Sequence, residues 1–118
     1  MMKKPLRLLF VVVAIAFGSS LMAQDFKKLE GQYAISSKTL LDPPTDEKKD
    51  RVLLSVHGQG AKEIFDTMAS PAKMDKCSGD LQTKTAGGLE CSKAASGVYQ
   101  CTVGVLLKTG ATIKGRVC

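Results

Sequence analysis

The chain has 118 residues, with 17 Lys or Arg against 11 Asp or Glu, a formal charge of +6, one His and four Cys. Only 5% of residues are aromatic and none is Trp, which argues against a base-stacking nucleic-acid surface. The single His and the absence of a close Cys pair argue equally against a zinc site.

The chain opens "MMKKPLRLLFVVVAIAFGSSLMAQ". Lys3, Lys4 and Arg7 precede an apolar run from Leu8 to Phe17, and small residues lead to Ala23. That layout predicts a secretory signal peptide over 1–23, cleaved after Ala23. The run is about ten residues, half of the roughly 20 that a membrane span needs. Residues 24–118 are then expected to form one small domain, soluble and periplasmic or secreted. Removing Lys3, Lys4 and Arg7 takes the basic count from 17 to 14 against 11 acids, leaving a dispersed +3.

"DFKKLEGQYAIS" predicts a short turn of helix, with Phe26 and Leu29 on one side, and then a brief strand at Tyr33–Ser36. "LLDPPTDEKKDR" is read as a loop, because Pro43 and Pro44 cannot donate ladder hydrogen bonds and the charges run on to Arg51. In "RVLLSVHG" the alternation of Val52, Leu54 and Val56 predicts a strand. The period then changes. Ala61, Ile64, Phe65 and Met68 fall at i, i+3, i+4 and i+7, one face of an amphipathic helix that ends by Ser70-Pro71. From Leu81 onward, short apolar-polar runs separated by Gly-ended turns predict antiparallel hairpins. The expected fold is α+β: a meander of four to five antiparallel strands with one helix packed on it.

Register bears on the cysteines, since a slip of one residue exchanges the faces of a strand. A three-residue loop Ala95-Ser96-Gly97 sets Cys91 opposite Cys101, within disulfide range. A three-residue loop Lys108-Thr109-Gly110 sets Val105 against Ile113 and Leu107 against Ala111, whereas a two-residue turn would oppose Val103 to Arg116. These registers predict Cys91–Cys101 and leave Cys77–Cys118; the other two connectivities stay open on sequence grounds. Two such bridges each offset on the order of 3–4 kcal/mol of chain entropy.

Nothing in the sequence assembles a catalytic group. His57 ends a strand without an obvious nucleophile or acid partner, and "HGQG" lacks the Lys and length of a phosphate loop. No enzyme activity, cofactor or metal is expected. The same registers put Glu90, Thr102 and Arg116 on one rung of a polar face, with Lys114 beside Gly104, a spot suited to docking a carboxylate or a partner.

"SGVYQC" (Ser96–Cys101) and "KTG" (Lys108–Gly110) resemble two motifs of the lysozyme inhibitors of the Gram-negative periplasm. Here Tyr99 follows Ser-Gly after one residue rather than two, and the order is Lys-Thr-Gly rather than Thr-Lys-Gly. In size, export and cysteines the chain is also similar to periplasmic immunity proteins. The resemblance implies a protein-binding module acting on a cell-wall hydrolase, with Ser96, Tyr99, Thr102, Lys108, Thr109, Lys114 and Arg116 as candidate contacts. The alternative is a non-catalytic envelope protein that binds wall components or self-assembles.

Overall fold

The computed structural model describes residues 24–117, which contain seven strands and one helix. In chain order these are β1 (Glu30–Ser36), β2 (Arg51–His57), α1 (Gly58–Thr67), β3 (Lys73–Met74), β4 (Leu81–Ala86), β5 (Leu89–Ala94), β6 (Tyr99–Leu106) and β7 (Thr112–Ile113). The strands make one antiparallel sheet in the order β1-β2-β6-β5-β4-β3, with β7 also paired to β6. The expected signal peptide falls on 1–23, outside the described residues. No helix among the described residues is long and apolar enough to cross a membrane.

The α+β class matches the expectation, but the strand count of four to five was too low. Two of the strands, β3 and β7, are only two residues long, too short for periodicity to register. β1 is longer than the brief strand expected, and the helical turn at Phe26 and Leu29 does not form. That segment instead runs beside α1, where Lys27 pairs with Glu63 at 3.1 Å.

α1 carries the chain across the sheet from β2, the neighbour of edge strand β1, to the far edge. Its apolar stripe lands where the pattern placed it: Ala61 and Phe65 are buried with Cys91 and Cys101, and Val56, Ile64, Met68, Leu89 and Tyr99 pack around them. Phe65 meets Tyr99 edge to face at 5.5 Å, a favoured aromatic geometry. Lys84 closes the far end of the helix. Its Nζ donates to the carbonyls of Phe65 (3.0 Å), which also accepts the Met68 N–H, and Met68 (3.2 Å), at the end where helical carbonyls run short of N–H partners. Across the β5–β6 hairpin, Cys91 faces Cys101 and the two are bonded, as the register required. Gly97 adopts φ +91° in that turn, and the N–H of Ala94 donates to Val98 at 2.9 Å.

The next hairpin corrects the sequence reading by one residue. The loop has four residues, Leu107–Gly110, so Ile113 faces Gly104 and Thr112 faces Val105. Ile113 therefore belongs to the face opposite Val105, where it fills the space over Gly104 beside Leu53; a Cβ on Gly104 would lie 2.8 Å from Ile113 Cγ1. Apolar matching gave the wrong register because a glycine offered the isoleucine a pocket on the other side. Lys114, expected beside Gly104, moves one position along.

Candidate functional site

Of the expected polar rung the Glu90–Thr102 pair forms, while Arg116 lies beyond β7 and joins it through its side chain rather than through strand register. Glu90 pairs across strands with Thr102, and Arg116 Nε donates to Glu90 Oε1 at 2.5 Å. The second arm of the guanidinium reaches a carboxylate that the sequence did not single out: Arg116 Nη2 donates to Asp75 Oδ1 at 2.8 Å. Asp75 is buried, and its other oxygen accepts the backbone N–H groups of Cys77 (3.2 Å) and Ser78 (3.1 Å). Burial pushes the Asp75 carboxyl up, but the hydrogen bond and charge of Arg116, with those two N–H groups, outweigh it and hold the carboxyl below its ordinary range. Glu90, and then Asp75, keep the guanidinium protonated. Arg116 is thus also a clamp that ties the C-terminal arm to β5 and to the segment after β3.

Around the clamp lies a cleft of about 250 Å³ lined by Lys73, Lys76, Lys114, Thr83 and Thr85 among others. The three lysines make no ion pair among the described residues. The Thr102 hydroxyl is buried without a hydrogen-bond partner among the described residues.

The other candidate contacts do not converge on one place. Ser96 is in the exposed β5–β6 turn, and Tyr99 lies half-buried against Phe65, with the Lys62 and Lys93 ammonium groups each 5.7 Å from its ring. Lys108 and Thr109 sit in the exposed β6–β7 loop. β6 has eight residues, so these two groups are separated by about 27 Å of strand.

A second surface follows from the length of α1. Ten residues make a helix of about 15 Å, too short to cover the sheet. It covers the rung Val56–Cys101–Cys91 and leaves two apolar rungs on the same face: Tyr33–Leu54–Val103 and Ile35–Val52–Val105. Tyr33 is 71% exposed, Ile35 46% and Leu54 38%, although alternation alone assigns them to a core face. The sequence could not disclose this, because nothing local says how far the covering helix reaches.

His57 Nε2 lies 3.2 Å from Ser55 Oγ, which accepts from Gln100 Nε2 at 3.0 Å. No hydrogen bond to the other ring nitrogen exists among the described residues, so the pair lacks the orienting third group of a nucleophilic triad. The glycines of "HGQG" begin α1, and the anion nearest that helix start is the protein's own: a Cβ on Gly58 would meet the Glu30 carboxylate at 2.6 Å. No group of three or more potential metal ligands occurs among the described residues. No protein-family model, no curated protein and no solved structure matches this chain.

Proposed function

We propose that this chain is an exported protein-binding module, an inhibitor or immunity protein that docks on a cell-wall hydrolase and blocks its access to polymer. The observation that carries the reading is the pair of bare apolar rungs, Tyr33–Leu54–Val103 and Ile35–Val52–Val105. A contiguous apolar patch on a small domain is characteristic of a docking surface. The hydrolase as partner rests on the predicted export signal and on the resemblance to periplasmic inhibitors. The same reading pairs Cys77 with Cys118. Cys91 is joined to Cys101, and Cys118 lies outside the described residues, so this second pairing stays part of the proposal.

The test is turbidimetric lysis of purified wall sacculi by a muramidase, an amidase and an endopeptidase, each with the mature chain added. One class is expected to be inhibited, and Leu54→Lys, which sets a charge in the apolar patch, is expected to weaken inhibition at least tenfold, on the order of the loss of an interface anchor. Full activity of all three classes at saturating protein would overturn the reading. The lysine-lined cleft at Lys73, Lys76 and Lys114 favours a second reading, an accessory protein that binds the free carboxylates of wall peptides. Binding to sacculi that is lost with salt, without inhibition of any hydrolase, would select it.

A further inference from the structure

We propose that two copies of this chain pair edge to edge through β1, antiparallel and in register about Tyr33, so that the bare rungs of both copies join into one docking face. The inference rests on reading those rungs as an interaction surface, and it adds who lies beside them.

β1 is the terminal strand of the sheet, and all seven of its residues pair with β2 from Glu30↔His57 to Ser36↔Arg51 without a bulge. Its outer edge has no strand partner among the described residues. Sheet edges are ordinarily protected by Lys, Pro, a bulge or short length. β1 has none of these; its only charge is Glu30, at one end. The opposite edge is different, since β3 has two residues and one of them is Lys73.

The composition of β1 suits a twofold. In an isologous antiparallel pair each contact occurs twice. Centred on Tyr33, the pairing uses the whole strand and opposes Tyr33 to Tyr33, Ile35 to Gly31, Gln32 to Ala34 and Glu30 to Ser36. No like charges meet. Ile35, 46% exposed in the single chain, gains the space above a glycine, and the two Tyr33 rings cover one another. The axis is normal to the sheet, so the faces match. The row Val103–Leu54–Tyr33 of one copy continues as Tyr33–Leu54–Val103 of the other. A strand pair of this length lies at the small end of specific interfaces, so the dimer is expected to dissociate on dilution.

The experiment is light scattering on the disulfide-intact mature chain, with concentration varied up to millimolar. The wild type is expected to shift from monomer to dimer. Tyr33→Lys and Tyr33→Glu would each bring like charges together on the axis, so each alone is expected to stay monomeric. Mixed in equal amounts they are expected to form a one-to-one heterodimer. Thermal melts matching the wild type show that both variants are folded. A wild type that is monomeric at millimolar concentration, a dimer that survives Tyr33→Lys, or variants that fail to recombine would each overturn the pairing. Hydrolase inhibition by a wild type that stays monomeric at millimolar concentration would overturn the dimer and leave the docking reading standing. A dimer that inhibits nothing would do the reverse.

Discussion

Arg116 spends its guanidinium on two carboxylates, Glu90 and Asp75, and of the two Asp75 is the more deeply enclosed. Its depressed carboxyl has a definite consequence for stability against pH. A carboxyl whose folded value lies below its unfolded one stabilises the fold at all pH above the unfolded value, about 3.9. That contribution is lost as pH falls through the unfolded value and on through the folded one. Asp75→Asn keeps an oxygen for the Cys77 and Ser78 N–H groups but gives up the charge. The variant is expected to be less stable than the wild type at neutral pH, with the gap closing as pH drops below about 4. Urea titrations at a series of pH values check this; a gap independent of pH would remove the ionic part of the clamp. The sequence pointed to Arg116, Glu90 and Thr102 through register, but it could not point to Asp75. That residue lies in an irregular segment, and only the folded path of residues 75–78 brings it under the arm.

At the scale of elements, what could be read in advance was whatever depended on one period or one turn. The α1 stripe at Ala61, Ile64, Phe65 and Met68 and the Cys91–Cys101 rung both came out as written, because each is decided within a dozen residues. The β6–β7 register did not, since it depends on what lies across the sheet at Gly104, Leu53 and Gly88. The short β7 strand crosses close against the β4–β5 turn. A Cβ on Gly88 would lie 2.5 Å from the backbone N and O of Ile113, closer than real contacts come, and its N–H meets Thr112 Oγ1 at 3.2 Å. Gly88→Ala is therefore expected to cost about 1–3 kcal/mol, the usual range for overpacking. Gly79, beside which an added methyl would meet nothing within 4 Å, is the control. Gly79→Ala is expected to change stability by less than about 0.5 kcal/mol, as for an unconstrained surface site. Equal effects in chemical denaturation would mean that β7 does not press on this turn.

At the scale of the molecule, the buried apolar set among the described residues is small: Ala61, Phe65, Cys91 and Cys101. A domain of this size buries too little surface to be stable by a wide margin, and covalent staples contribute a large share. The Cys91–Cys101 bridge and the proposed second one would divide the work differently. Cys91–Cys101 sits inside the core under α1 and spans only ten residues. The proposed Cys77–Cys118 bridge would span 118 − 77 = 41 residues, worth about 4 kcal/mol of chain entropy against about 3 for the shorter one. It would lock the arm on which Arg116 reaches Asp75, two residues before Cys77. Access separates them as well. Cys77 is exposed whereas Cys91 and Cys101 are buried, and thiol exchange needs an attacking thiolate to reach a sulfur. Mild reductant is expected to open the Cys77 bridge first. Alkylation and peptide mapping at that stage should find label on Cys77 and Cys118 and none on Cys91 or Cys101, with the sheet still folded and the arm alone gaining hydrogen exchange. Label on Cys91 or Cys101 at the first step would show that the core bridge is the weaker of the two, and that packing of α1 does not shield it.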